Sequence, residues 1–383
     1  MQADIRLHWA LARLKFEDYW KAFWDINKAF ALLEENAAKF PNFMPNQKDL
    51  GILHAVVSSV PSGVGWVTNL EGDLEKGKRE LQQVIAYSQK NDFIFEQETY
   101  ILYSYVMLQF GNDEDAAWRI INESKLNPKT SPTAAFVLAN VAMRTGRNDK
   151  AIELLKNRPT SEAYYPFVYL DFMLGRAKQQ RLDSDADIYF KKYLQQFKGQ
   201  NFIKETYRRL AWHELLKDNP EGYNQYMKEV SEKGFVNVGA DESALKEAQE
   251  GITPHIGVLK ARLLFDGGYF QRAYNTLLLQ SDQKFTSTKT QLEYTYFLGR
   301  TNHQLKHYDE AIKYYNSTVT AGRAQPWYFA CRAALEKGNI FETQRQYEKA
   351  RNAFQECLTI KPSEHKISLH QSAKSGLARV KGK

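Results

Sequence analysis

The sequence predicts an all-α fold, a right-handed α-solenoid of antiparallel helix pairs. Three observations carry that expectation. Small residues recur as anchors with aromatic or aliphatic residues at fixed offsets behind them. Glycine and proline, 21 and 11 in 383 residues, are too sparse for an all-β chain, which needs a turn roughly every 8–12 residues. Cap-forming residues fall where the period demands helix starts. With only two cysteines no disulfide framework is possible, so stability must come from the 43% of residues that are hydrophobic.

In chain order, Ala29 is followed by Leu33 and Pro41. Gly72, Gly77 and Leu81 repeat the frame with glycine in the anchor position. Gly111, Ala116, Ile120 and Pro128 repeat it fully, and Gly146, Ala151 and Leu155 follow. Ala186 with Phe190, and Gly222 with Tyr223, are weaker units. Gly268, Ala273 and Leu277 restore the pattern; then come Gly299, Tyr308, Ala311 and Tyr315, and finally Gly338, Tyr347, Ala350, Phe354 and Pro362. Most gaps between anchors are 35 to 39 residues; the two longer ones, 48 and 50, place insertions near 42–70 and 231–253.

Each offset has a physical reason. A helix pair cannot bury its apolar face alone, so it stacks on its neighbours. The small anchor lets paired helices approach, and the large residue four later lies one turn along the same face and fills the space beside it. The proline twelve later ends the second helix. Ser131-Pro132 and Thr253-Pro254 read as N-cap followed by proline in the first turn. Asn112 before Asp113, Glu114 and Asp115 places acids where the helix dipole favours them.

The Leu-Gly…Ala…Tyr and Gly…Ala…Phe…Pro patterns resemble the tetratricopeptide (TPR) superfamily, whose period is close to 34 residues. Residues 40–81 look like TPR proteins of Bacteroidota-type bacteria, and are distantly similar to the TPR-39/Iml2 group. The resemblance implies a helical scaffold without known chemistry, and further chain, with a secretory signal, before this region.

The expected organisation is one continuous TPR-like solenoid over 1–383 of about nine helix pairs, closed by a capping helix at 364–381. At the start, Ile5, Trp9, Ala12 and Phe16 make one apolar helix face, and Leu7, Leu11 and Leu14 a second. Two such faces suit a helix with neighbours on both sides, so upstream helices are expected. The compartment follows from that expectation: periplasmic if a signal-bearing N-terminus is missing, otherwise cytoplasmic. No run of about 18 apolar residues supplies a transmembrane helix.

Patterns for chemistry are few. Gly72 to Lys78 approaches a P-loop, but Arg79 stands where serine or threonine would bind magnesium, so the segment reads as a helix start. His303 and His307 lie four apart without the glutamate of a zinc-protease helix or a third ligand. Cys331 and Cys357 read as buried thiols that antiparallel pairing could bring together. The stretch 61–67 reads as a helix break anchored by Trp66. The expectation is therefore no enzyme, no cofactor and no metal.

Binding is expected on the face lined by the first helix of each pair. There the frame places Arg208, Trp212, Arg262, Tyr296, Arg300 and Asn339, with Phe136 and Asn140 farther upstream. Arginine, tyrosine and tryptophan dominate interface hot spots, and the arginines could pair with carboxylates. The expected partner is an acidic or aromatic-rich protein segment against Arg262 and Arg300. The lysine and asparagine set by which some TPR domains clamp chaperone tails is not reproduced. Two alternatives remain: an RNA-binding α-solenoid, encouraged by a net charge of +7, and a lipid or glycan carrier with its ligand among Trp212, Phe265 and Tyr296. The basic residues form no continuous stripe, and Lys374, Arg379, Lys381 and Lys383 read as a solvated tail, so nucleic acid is not the expected partner.

Overall fold

The structure, a computed structural model, describes residues 1–16, 18–57, 72–111 and 113–383. All regular secondary structure among them is helical. The expectations for Asn112 and for residues 61–67, Trp66 included, lie outside the described residues. The chain divides into two compact units, Met1–Thr145 and Gly146–Lys383.

In the first unit, α1 (Gln2–Lys15) pairs with α2 (Tyr19–Lys39), and α3 (Met44–Val57) with α4 (Leu74–Ser88). Helix α5 (Glu96–Val106) runs on through one π turn, Met107–Gly111, and pairs with α6 (Glu114–Glu123), before α7 (Pro132–Arg144). Much of the stretch expected as an insertion near 42–70 is thus α3, the first helix of the second pair. The glycine anchor works as expected: a Cβ on Gly51 would stand 3.0 Å from the Gly77 carbonyl oxygen and 2.9 Å from Leu81 Cγ. Only glycine on both helices permits that approach. Gly72–Lys78 forms no phosphate loop; Asp73 caps α4 by accepting from the Lys76 N–H at 3.0 Å. Asp113 caps α6 through the Ala116 N–H at 2.8 Å.

On α1, Ile5, Trp9, Leu11, Leu14 and Phe16 are exposed, while Leu7 is half-buried against the cluster of Phe30, Leu33 and Leu50. Trp20 and Trp24 of α2 are also exposed. Asp25, buried beneath, receives both Arg6 at 2.9 Å and Arg13.

The second unit begins with α8 (Asn148–Lys156). Pairs follow: α9 (Tyr169–Arg181) with α10 (Ala186–Gln196), α11 (Ile203–Leu216) with α12 (Pro220–Glu232), α14 (Ile256–Asp266) with α15 (Phe270–Leu278), α16 (Thr288–Gln304) with α17 (Tyr308–Gly322), and α18 (Phe329–Thr343) with α19 (Tyr347–Thr359). The anchors Ala186, Ala273, Ala311 and Ala350 are fully buried on second helices, and Ala151 is fully buried on α8. The large residue four beyond fits against a glycine of the first helix: Tyr315 against Gly299, where a Cβ would be 2.7 Å from the ring, and Phe190 against Gly175 at 2.8 Å. Phe354 is held between Gly338 of α18 and Gly376 of α20 (Lys366–Arg379). Helix α20 packs on α18 and α19, and Arg379 makes two bonds to Glu342 at 2.8 and 2.7 Å.

One local expectation changes. Thr253-Pro254 does not cap α14, which begins at Ile256 after His255. Proline disfavours helix in the residue before it, and the backbone stays irregular through His255. The segment 231–253, expected as an insertion, contains α13 (Gly239–Glu250), an unpaired helix packed on α11 and α12.

Candidate functional site

The six residues expected on the binding face sit on four first helices of the second unit: Arg208 and Trp212 on α11, Arg262 on α14, Tyr296 and Arg300 on α16, Asn339 on α18. Spacings of four place Arg208 with Trp212, and Tyr296 with Arg300, on one helix face. The structure joins the four helices in series: Arg262 of α14 lies over the Trp212 ring of α11, Arg300 of α16 over Phe265 of α14, and Tyr296 of α16 packs on Phe329 of α18 with ring centroids 5.4 Å apart.

Trp212 is 4% exposed. The guanidinium groups of Arg208, Arg209 and Arg262 lie 4.7, 4.8 and 4.4 Å from its ring centroid, a cage in which cation–π attraction offsets the crowding of like charges. Its indole N–H donates to Glu247 of α13 at 2.7 Å. Arg208 donates to the other Glu247 oxygen at 3.3 Å and also to Glu205. Glu205, fully buried, accepts from Arg209 at 2.7 Å as well; burial alone would raise its carboxyl, but the two arginines hold it below the usual range.

One helix along, Arg262 donates from Nη1 to Glu293 at 2.9 Å. Its Nη2 is buried with no hydrogen-bond partner. Arg300 donates to the Tyr296 hydroxyl at 3.0 Å and lies 4.5 Å from the Phe265 ring centroid. Tyr296 is itself buried. At the far end, Glu336 accepts from Arg332 at 2.7 Å and from Asn339 at 3.1 Å. Burial pushes the Glu336 carboxyl up, yet Arg332, Arg300 and His303 bring it down to about 2.

Asp266, at the end of α14, has a different setting. It is exposed. None of Arg262, Arg209, Arg300 and Arg176 comes within 4.0 Å of it.

Sequence reasoning missed the acids that run through this face, Glu205, Glu247, Glu293 and Glu336, and the further arginines Arg176, Arg209 and Arg332. The four-residue spacing Glu205–Arg209 and Arg332–Glu336 was a usable signal. It also missed α13, which crosses the region: Asp241 accepts from the Phe202 and Glu205 N–H groups at 2.7 and 3.0 Å, Glu250 pairs with Lys289, and Lys246 reaches Glu364 at 2.9 Å. Upstream, in the first unit, Asn140 accepts from the Tyr105 hydroxyl at 2.9 Å.

His303 and His307 serve structural bonds, to Tyr315 and Asn302, each at 3.3 Å. The Cys331 and Cys357 sulfurs, both buried thiols, are 3.5 Å apart. Among the described residues no cluster of histidine, cysteine and carboxylate could hold a metal ion, and no helix is long and apolar enough to cross a membrane.

The tetratricopeptide repeat family model matches residues 292–319 and 332–364, which are α16 with α17 and α18 with α19. These two helix pairs match the tetratricopeptide repeat, and Tyr296, Arg300 and Asn339 lie within them. No curated protein sequence matches the chain. Similar solved structures include the Cut9-Hcn1 hetero-tetramer of the APC/C, at 12% identity over 93% of this chain and 59% of that one, TM-score 0.30. Yeast Tom70 matches at 16% over 99% of this chain and 65% of its own, TM-score 0.30. The TPR domain of P58(IPK) matches at 11% over the whole of both, TM-score 0.27. The chain thus spans less than two thirds of the first two.

Proposed function

We propose that this chain is a non-catalytic protein-interaction scaffold, one continuous helical-repeat array over 1–383, whose α11–α18 face binds a segment of a partner protein. Tetratricopeptide repeats mediate protein–protein contacts in general, and the observation that supports binding here is the arginine and aromatic stripe running across successive first helices. The residues expected from sequence divide into two roles in this reading. Trp212, Tyr296, Arg208 and Asn339 shape and stiffen the floor, since each is buried or held by the chain's own groups. Arg262, bonded to Glu293 and laid on the Trp212 ring, joins that floor, and Arg300 faces the partner.

Carboxylates interleave the arginines throughout, at Glu205, Glu247, Asp266, Glu293 and Glu336. Such alternation suits a polypeptide with mixed contacts better than the unbroken negative charge of a nucleic-acid backbone. The test is affinity capture from the native organism with wild-type, Arg300→Glu and Arg379→Glu baits. The reading expects partner recovery to fall with Arg300→Glu and to persist with Arg379→Glu, whose site is on α20. Equal recovery with all three baits contradicts it.

A further inference from the structure

One side of the α1–α2 pair is packed, and the other is open among the described residues. Leu7 of α1 and Ile26, Phe30 and Leu33 of α2 face α3, where they meet Leu50 and Leu53. The open side is marked by Asp25, which accepts from Arg6 at 2.9 Å and from Arg13, both across the pair. Arg13 also donates to the Lys21 carbonyl at 3.2 Å, and its guanidinium lies 5.9 Å from the Trp9 ring centroid. It thus bridges Trp9 of α1 to the turns of α2 that carry Trp20 and Trp24. At 3.6 residues per turn, Ile5 shares the Trp9 side of α1, and Trp20 and Trp24 lie one turn apart on α2. Phe16 follows just past the end of α1. Trp9, Trp24, Trp20 and Phe16 are 59%, 61%, 71% and 80% exposed.

We infer that this aromatic side docks on the same side of a second copy of the chain, giving a two-fold dimer. Area argues for a protein surface. With about 200 Å² to each ring, the four aromatic side chains leave roughly 500 Å² open. Ile5 and the stems of the flanking arginines extend the patch toward the ~800 Å² that each partner buries in a standard interface. Charge argues for a second copy. Arg6 and Arg13 share Asp25, the Met1 amino group meets Asp4 at 2.7 Å, and Lys21 meets Asp18 at 3.2 Å. A side whose charges are answered within the pair neither repels its own copy nor selects an ionic partner. Stacking is also how helix pairs bury their flat sides throughout a repeat array. A two-fold contact uses one patch on both chains, so assembly closes at two. The dimer is independent of what the α11–α18 face binds.

The test is light scattering coupled to size-exclusion chromatography of the full chain at micromolar concentration, with circular dichroism of each variant. The expected mass is twice that of one chain for wild type and for Ile367→Glu, which changes an exposed side chain of α20. Trp9→Glu/Trp24→Glu is expected at the mass of one chain. Both tryptophans are largely exposed, so its helix content and thermal midpoint should match wild type. A second measurement needs no variant: amide exchange in α1 and α2 should slow as the wild-type concentration rises, with α20 unchanged. A wild-type monomer overturns the dimer, including one that sediments with phosphatidylglycerol vesicles. So does a dimer that persists in Trp9→Glu/Trp24→Glu, a loss of the dimer in Ile367→Glu, a mass that grows beyond two chains, or concentration-independent exchange in α1 and α2.

Discussion

Trp212 donates its indole N–H to Glu247 at 2.7 Å, tying a first helix of the repeat array to the unpaired helix α13. Glu247 is largely buried, so replacing it leaves the buried indole donor without its acceptor and Arg208 with Glu205 alone. Glu247→Ala is expected to cost about 1.5–3 kcal/mol, read as a lowered urea midpoint, with faster amide exchange in α13. Unchanged exchange there would show that α13 is held elsewhere.

Phe354 occupies space that exists only because Gly338 and Gly376 have no side chains. Gly338→Ala should therefore destabilise by about 1–3 kcal/mol, the usual range for overpacking a well-packed core. The double variant Gly338→Ala/Phe354→Leu should recover part of that loss. A thermal melt of the three proteins decides it; no recovery in the double variant would place the strain elsewhere.

Stability of the first unit should depend on pH through Asp49. Burial, and then its hydrogen bond with Asp4, push the Asp49 carboxyl up to about 7, against the opposing pull of Lys48. Unfolded, the group returns toward 3.8. Between those values the folded chain holds a proton that the unfolded chain has released, so stability falls as pH rises through the window and levels off above about 7. Amide exchange of α1 and α3 should accelerate across that range in wild type and stay level in Asp49→Asn. A level wild-type profile would remove Asp49 as the cause.

Ser131 caps α7 by accepting from the Ala134 N–H at 3.2 Å. Ser131→Ala should cost about 1 kcal/mol, whereas Ser131→Asp should retain most of the stability. Equal denaturation midpoints for Ser131→Ala and wild type would show that the cap contributes nothing.

Cys331 and Cys357, though 3.5 Å apart, are wholly buried. A thiol reagent should label neither in the native chain and both in concentrated urea. Rapid native labelling would mean that α18 and α19 separate readily.

Much of this fold was legible because the repeat imposes itself on residue type. A position that must admit a neighbouring helix takes alanine or glycine, so Ala273, Ala311 and Ala350 could be read directly as buried anchors. The first helices were legible for the same reason, and so were Trp212 and Arg300. Helix α13 was not legible because it breaks the period: it has no paired helix and so no anchor. Its packing depends on Asp241 and Glu247, acids that in sequence look like any solvated helix face.

The central claim is that a partner segment lies on the α11–α18 face, and hydrogen exchange of the full chain with and without its captured partner tests it most directly. Exchange should slow in α14 and α16, around Arg262 and Arg300, with α15 and α17 unchanged. Slowed exchange confined to the second helices, or to the first unit, would contradict it.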